Sequence, residues 1–318
     1  DLHSFPTRRS SDLRSPAGRD GWTIVRDGAF SSLGLCGAAA GLPILTFAGN
    51  EKFLRIALAN ADVAAVMVPA ALAGAPALRD TQRGVVVVPE LRRDFFELHN
   101  RLAADFPDAY LRPGFETRIA PSASISPLAE VGARNIEIGE NVRIEAFVSV
   151  KENTRIGAGT IVRSGSVLGG TGLEFIRIGA DGILPAAHCG WLTIGADVEI
   201  QYNCSVSRSL FPWHETVIGS ETKIESLTHV AHGVSIGSRA LIASGAVIGG
   251  SARIGDGVWI GPNATISSEV RVGDGARISL GAVVAGTVKA GETVSGNFAI
   301  PHEKFLREQF RCMLGAGQ

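Results

Sequence analysis

The chain has 318 residues, with 30 lysines and arginines against 31 aspartates and glutamates, and its isoelectric point is about 6.7. This near-neutral balance offers no broad field for nucleic acid or an anionic membrane, so we expect neither as a partner. Its four cysteines are widely scattered and show neither the spacing of a zinc site nor the density of a disulfide scaffold, which favours a reducing cytoplasm. The most apolar windows, 34–49 and 57–78, are interrupted by glycine, proline or aspartate, so no transmembrane segment is predicted.

The chain begins with DLHSFPTRRSSDL, which has no hydrophobic period and does not look like a targeting signal. The string resembles a translated sequencing adapter, and we interpret it as an assembly artefact joined to a gene fragment. A genuine disordered tail is the alternative. Residues 1–21 are therefore left out of the fold prediction, and the natural start of the protein is expected to be missing.

Residues 22–112 alternate short apolar runs with helical patterns. The runs ILTF, AAVMV and GVVVV read as buried strands, and NEKFLRIALANA and ELRRDFFELHNRLA have helical spacing. Such alternation predicts a small α/β domain.

From residue 119 onward an aliphatic residue recurs every six positions, a period that neither a helix nor a plain strand produces. One frame runs through Ile218, Ile224, Val230, Ile236, Ile242, Ile248, Ile254, Ile260, Ile266, Val272, Ile278 and Val284. Small or β-branched residues follow four positions later, and glycine is frequent at the corners. This pattern predicts a parallel β-helix over residues 113–298, in which three hexads make one coil of 18 residues.

Two segments break the frame. Residues 169–193 lose the pattern and are predicted to form a loop that leaves the three-sided prism made by the stacked coils. Residues 206–218 place Pro212 at an inward position, which predicts a bulged or looped coil. After the repeats, residues 299–318 have helical spacing in Phe305, Phe310 and Met313, and predict a short C-terminal helix.

The repeats and several local strings resemble the UDP-3-O-acylglucosamine N-acyltransferases of lipid A biosynthesis. LTFAGNEKF is similar to the uridine-binding pattern of that family, and the stretch from ESLTHVAHGVSIG to VKAGETVSGNFA follows it in length and frame. The resemblance covers nearly everything after residue 22. It implies a mainly β protein, a left-handed parallel β-helix with a small N-terminal α/β domain that recognises the nucleotide.

The resemblance also implies a reaction. A 3-hydroxyacyl chain would pass from acyl carrier protein, where phosphopantetheine carries it, to the 2-amino group of a UDP-amino-sugar. The enzyme would be a cytoplasmic homotrimer and would need no metal and no cofactor of its own.

By resemblance, His232 of the string HVAHG is the catalytic base, since a histidine near its ordinary pKa suits proton removal at neutral pH. Adding one coil of 18 residues to His232 leads to Gly250, and stacked coils lie about 4.8 Å apart. The family's oxyanion donor is a glycine at this matching position, so Gly250 N–H is expected to take that role. His229 would contact substrate, although a plain exposed histidine is equally compatible with its position.

For the nucleotide, Phe47 and Phe53 are expected to sandwich the uracil ring while Asn50 bonds to its edge. The alternative is that both phenylalanines belong to the core of the small domain. Phe53 stands where the family usually has tyrosine.

Further departures from the family pattern occur at Ser207, Ser226, Gly233 and Glu269. They leave open a diverged acceptor or a CoA-dependent transferase acting on another nucleotide amino sugar. From other classes, a zinc lyase related to the γ-class carbonic anhydrases would use His229 and His232 as ligands, with a third ligand from another subunit. A catalytically silent prism used for assembly is the remaining alternative.

Overall fold

The computed structural model describes residues 7–9, 21–296, 301–304 and 307. Within the segment interpreted as extraneous, Arg8–Arg9 forms a short antiparallel pair with Ala29–Phe30. Residues 302–304 and 307 of the predicted C-terminal helix are helical, whereas Phe305, Phe310 and Met313 lie outside the described residues. No helix in the described part of the chain is long and apolar enough to cross a membrane.

An α/β layer occupies the N-terminal part of the described chain. Its five strands, in spatial order, are Thr23–Arg26, Gly84–Val87, Val63–Val68, Ile44–Phe47 and Ser32–Leu33. Thr23–Arg26 is antiparallel to its neighbour and the other pairs are parallel. The helices are α1 (Glu51–Ala59), α2 (Pro76–Arg79), α3 (Leu91–Asp105) and α4 (Pro107–Tyr110), with a short 3-10 turn at Ala70–Leu72. The three predicted strands and the two predicted helices are thus present.

The rest of the described chain winds into a left-handed parallel β-helix with three faces, which confirms the predicted fold class. The first face contains Arg118–Ile119, Ile136–Ile138, Thr154–Ile156, Trp191–Ile194, Glu215–Ile218, Ser235–Ile236, Arg253–Ile254 and Arg271–Val272. The second contains Ser124–Ile125, Arg143–Ile144, Ile161–Val162, Glu199–Ile200, Lys223–Ile224, Leu241–Ile242, Trp259–Ile260, Arg277–Ile278 and Thr293–Val294. The third contains Glu130–Val131, Ser149–Val150, Val167–Gly170, Ser205–Ser207, His229–Val230, Val247–Ile248, Thr265–Ile266 and Val283–Val284.

The six-residue period explains the core of this prism. The aliphatic residue of each hexad points inward and is buried, as are the small residues four positions later, such as Cys204, Ala246 and Val258. In the first coil Ile119 is 46 % exposed, because no described coil lies below it to cover it. Burial of these aliphatic rows is the main stabilising contribution to the prism, at about 25 cal/mol for each Å² of apolar surface.

Strand pairing locates two segments that leave the prism. Neighbouring coils pair residues 18 apart, as Ile136 does with Thr154, but Thr154 pairs with Leu192 and Leu192 with Thr216. The first excursion, residues 171–190, contains an antiparallel hairpin of Phe175–Arg177 and Ile183–Pro185, joined through the 3-10 turn Gly179–Asp181. The sequence predicted a loop in this region but not the hairpin within it. The second excursion, residues 208–214, contains Pro212, which is buried in the loop.

Both excursions pack against the α/β layer. His99 of α3 bonds to Ala187 O through Nε2 at 2.7 Å, and Trp213 donates from its indole N–H to Leu33 O at 2.8 Å. Phe211 lies in the same buried cluster as α3 side chains, 6.2 Å from Phe95 between ring centroids. Burial lowers the pKa of His99 to about 4, so it is neutral at pH 7 and joins the two parts as an uncharged hydrogen-bonding group. The excursions therefore fix the α/β layer against one side of the prism.

Candidate active site

His232 lies in the turn that follows the third-face strand His229–Val230. His229 pairs with Val247 and Val230 with Ile248, so the turn at Gly250 stacks directly on the turn at His232. The backbone agrees with this stacking, because Ser251 N–H donates to His232 O at 3.0 Å. The 18-residue period thus predicted the neighbour of His232.

The imidazole of His232 points toward Gly250. A methyl group placed on Gly250 would lie 3.1 Å from Nε2 of His232 and 3.2 Å from its Cε1. In the described part of the chain, Gly250 N–H has no hydrogen-bond partner, and neither do the two ring nitrogens of His232. A free backbone donor therefore stands beside a free imidazole, an arrangement that can hold an oxyanion and remove a proton from the same substrate.

The electrostatics of His232 favour its neutral form. Burial lowers the pKa of this half-buried imidazole, the Glu174 carboxylate opposes that effect, and a charge on His229 would lower the pKa further. At pH 7 His232 is consequently an uncharged group that can accept a proton. His229 is itself half-buried on the strand, and burial lowers its pKa as well.

Two further histidines, one from each excursion, lie near His232 and Gly233. His188, in the first excursion, contacts His232 edge-to-face with ring centroids 5.6 Å apart. Its Nε2 accepts from Gly172 N–H at 3.0 Å, which leaves Nδ1 to donate to Ala186 O at 3.1 Å. Burial lowers the pKa of His188 to about 4, so this neutral tautomer is the form present at pH 7.

His214, in the second excursion, occupies the space beside Gly233. A methyl group on Gly233 would lie 2.9 Å from Cε1 of His214, and the positive φ of 69° at Gly233 also favours glycine. Nδ1 of His214 forms a 2.7 Å hydrogen bond with Ser209 Oγ, and burial lowers its pKa to about 4. One departure from the family pattern, glycine at 233, thereby has a steric cause within this chain.

The other three departures from the family pattern are Ser207, Ser226 and Glu269. Ser207 is buried at the end of the strand Ser205–Ser207, just before the second excursion, whereas Ser226 lies in a turn at another corner of the prism. Glu269 adopts a positive φ of 63° and donates its N–H to Gly250 O at 2.9 Å. None of these three carboxyl or hydroxyl side chains forms a described hydrogen bond with His232.

The predicted nucleotide residues cluster at the end of the strand Ile44–Phe47 and the start of α1. Asn50 caps α1, because its side-chain oxygen accepts from Phe53 N–H at 3.1 Å. Phe53 is 44 % exposed, but Phe47 is half-buried and packs on Phe95 with ring centroids 4.7 Å apart. Phe47 therefore packs against the core of the small domain, which was the alternative to ligand binding, whereas Phe53 is exposed and open to a ligand.

The described residues contain no group of three or more His, Cys, Asp or Glu side chains placed to hold a metal ion. His229 and His232 would accordingly need ligands from outside this set to form a metal centre.

The repeats of the prism resemble those of bacterial hexapeptide transferases. A model described as Bacterial transferase hexapeptide (six repeats) matches residues 135–170, 215–250 and 251–286, the last two of which contain His232 and the coil above it. The UDP-N-acetylglucosamine acyltransferase of Francisella novicida has the same fold, with a TM-score of 0.50 and 22 % identity, over 63 % of this chain and 71 % of that one.

Two relatives among curated proteins are N-acyltransferases. A UDP-3-O-acylglucosamine N-acyltransferase of Pseudomonas fluorescens is 36 % identical over 101 residues, which is 31 % of this chain and 28 % of the relative. Another, of Pseudomonas syringae pv. tomato, is 31 % identical over 139 residues, 38 % of each chain. The chain spans about a third of the length of these relatives, and the matches support the resemblance to acyltransferases found in the sequence.

Proposed function

We propose that the protein is an N-acyltransferase that moves a 3-hydroxyacyl chain from acyl carrier protein to the 2-amino group of UDP-3-O-acylglucosamine. The observation that carries this proposal is that the neutral imidazole of His232 faces Gly250, whose N–H has no partner among the described residues. The similarity to N-acyltransferases over the matched region supports the choice of substrates.

In the proposed reaction the amine nitrogen attacks the thioester carbonyl, and His232 accepts the proton that the nitrogen loses. The oxygen of the tetrahedral intermediate, which carries the negative charge, accepts a hydrogen bond from Gly250 N–H. Collapse of the intermediate breaks the carbon–sulfur bond, and the departing thiolate of phosphopantetheine takes the proton back from His232. The products are an amide and a free thiol, and His232 is neutral again for the next turnover.

Catalysis requires that His232 reach the attacking amine while Gly250 N–H bonds to the oxygen of the thioester carbonyl that this amine attacks. The stacked turns hold the two groups on neighbouring coils, whose backbones are joined by the hydrogen bond from Ser251 N–H to His232 O. Little reorganisation is then needed when charge develops on the thioester oxygen. We further propose a homotrimer in which a neighbouring prism helps to enclose the acyl chain.

The test is a panel of two acceptors and two donors. Purified protein is incubated with UDP-3-O-(3-hydroxyacyl)glucosamine or with UDP-N-acetylglucosamine, each with a 3-hydroxyacyl carrier protein or 3-hydroxyacyl-CoA, and the products are identified by mass. We expect a new amide only with the free amine acceptor, and faster transfer from the carrier protein. Transfer to UDP-N-acetylglucosamine instead would contradict the proposal, because that acceptor has no free amine.

A second candidate is a CoA-dependent transferase that acts on another nucleotide amino sugar. It is favoured by the position of His214, whose ring occupies the space beside Gly233, the residue that follows His232. An acceptor bound next to His232 would therefore meet the His214 ring. In the same panel this candidate predicts little transfer to the acylated glucosamine, and transfer from CoA once other UDP-amino-sugars are supplied.

Recognition of the nucleotide is tested by Phe53→Ala. Because Phe53 is exposed and stacking on an aromatic ring contributes about 1–3 kcal/mol per base, we expect KM for the sugar nucleotide to rise by about tenfold or more, with kcat little changed. Phe106→Ala is a matched control, since Phe106 is 48 % exposed in the same α/β layer. Equal KM values for the two variants would remove Phe53 from the proposed nucleotide site.

A further inference from the structure

Gly172, in the segment 172–174 of the first excursion, lies close to the His232 side chain. A methyl group on Gly172 would lie 2.9 Å from Cδ2 of His232 and 3.3 Å from its Cβ. Gly172 therefore lies against Cδ2 and Cβ of His232, whereas Gly250 faces Nε2 and Cε1. Two residues further along, the same segment carries Glu174, a carboxylate that the proposed reaction does not use.

Three hydrogen bonds hold this segment in place. Gly172 N–H donates to Nε2 of His188 at 3.0 Å, and Ala186 N–H donates to the backbone oxygen of Glu174 at 2.9 Å. Nη2 of Arg92, on α3, donates to Oε1 of Glu174 at 2.9 Å. The backbone oxygen of His188 in turn accepts from Nε of Arg208 at 2.8 Å. The carboxylate is thus fixed to the α/β layer, and the backbone of its segment is fixed within the first excursion.

Glu174 is well placed to act on His232. Its side chain is 19 % exposed, so its charge is only partly screened by water, and its second oxygen, Oε2, has no hydrogen-bond partner among the described residues. Glu174 is the acidic group that raises the pKa of His232 against the effect of burial.

The other titratable or charged groups around this ring are His188, His214 and His229, with Arg208 next to His188 and with Arg253, Arg112 and Glu215 acting on His214. The groups that face His232 itself, apart from Glu174, are neutral or positive, so none of them favours a positive charge on its ring. Glu174 is therefore the nearby group whose charge can offset the cost of protonating this imidazole.

We propose that Glu174 is a positioning residue that stabilises the protonated form of the His232 imidazole during acyl transfer, and that Arg92 anchors this carboxylate to the α/β layer. The inference rests on the proposed function for the step in which His232 carries the proton of the amine. The link through Arg92 also places one charged contact between the candidate nucleotide-binding layer and the candidate base.

The first test follows His232 itself and needs no substrate. Histidine-labelled protein is titrated by NMR, with the His232 signal assigned from His232→Asn. We expect Glu174→Gln to lower the pKa of His232, because a negative neighbour is lost, and Arg92→Gln to raise it, because the carboxylate is no longer neutralised. Glu145→Gln is the matched control, since Glu145 is also paired with an arginine of the prism, Arg163, at 2.8 Å but lies at another corner. A His232 pKa that is the same in Glu174→Gln and Glu145→Gln would overturn the proposal.

The second test is the rate of acyl transfer. We expect Glu174→Gln to reduce kcat by about three- to tenfold and to move the acid limb of its pH profile to lower pH, with KM little changed. Glu174→Asp keeps the charge and should recover part of the rate, which also separates an electrostatic role from a folding defect. Wild-type rates in Glu174→Gln would contradict the role in catalysis. If the titration shifts as expected but the wild type acylates no acceptor, the proposed function fails while the electrostatic effect of Glu174 on His232 stands.

Discussion

Replacement of His232 by asparagine is expected to reduce kcat for acyl transfer by about 10²- to 10⁴-fold, the usual contribution of a positioned general base. His232 is half-buried in a turn and has no described hydrogen bond through its ring, so asparagine removes the base without breaking a side-chain hydrogen bond. The measurement is kcat with the amine acceptor, accompanied by circular dichroism to verify the fold.

His229→Asn is the control for this substitution. His229 lies three residues earlier, on the strand before this turn, and is also half-buried, but it is not among the atoms nearest to Gly250. We expect its loss to change kcat by only a few-fold, whereas its KM can change if the side chain contacts substrate. A variant at 232 that keeps the wild-type rate would exclude His232 as the base.

Gly250→Ala is expected to lower kcat by about 10- to 10²-fold, because small displacements of reacting groups cost rates of this order. The new methyl group would lie 3.1 Å from Nε2 of His232 and would force the imidazole away from the neighbouring backbone N–H. The backbone at Gly250 does not have a positive φ, so alanine can adopt it without strain. The loss should therefore appear in kcat and not in the unfolding temperature.

Gly286→Ala provides the comparison, since no atom lies within 4 Å of the position of its new methyl group. We expect this variant to resemble the wild type in both rate and stability. If Gly250→Ala also retained the full rate, the contact between Gly250 and His232 would not be part of catalysis.

The prism could be predicted from sequence because each of its coils repeats the same physical requirement. An aliphatic residue such as Ile248 or Ile266 must fill the interior of each hexad, and the period of 18 residues then places Gly250 on His232 without further information. The roles proposed for this pair remain predictions. The stacking of Gly250 on His232 followed from the 18-residue period alone.

The walls around His232 could not be predicted in the same way. His188 and His214 lie in the two segments that lose the six-residue frame, and a frame that is lost carries no information about where the chain returns. Their positions depend on long-range contacts, such as the hydrogen bond between His99 of α3 and Ala187. The one available signal was local: histidine, a residue able to bond from both ring nitrogens, occurs once in each excursion.

The nucleotide residues show an intermediate case. The helix start at Asn50 follows from its side chain, which caps the N-terminus of α1, and Phe53 is exposed one turn later. Phe47 was harder to interpret, because a phenylalanine at the end of a strand can face a ligand or the core. Its packing against Phe95 depends on α3, which is separated from it by more than forty residues.

The pH dependence of kcat tests the central claim most directly, because it reports the ionisation of the base in the enzyme–substrate complex. Burial lowers the pKa of His232, and a base is active when it is deprotonated. With saturating acylated glucosamine nucleotide and acyl carrier protein, the account predicts one acid limb with a midpoint below about 6.5, the ordinary histidine value, and no such limb in the residual rate of His232→Asn. An acid limb that persists unchanged in His232→Asn, or a midpoint above the ordinary histidine value, would contradict the assignment of His232 as a buried neutral base.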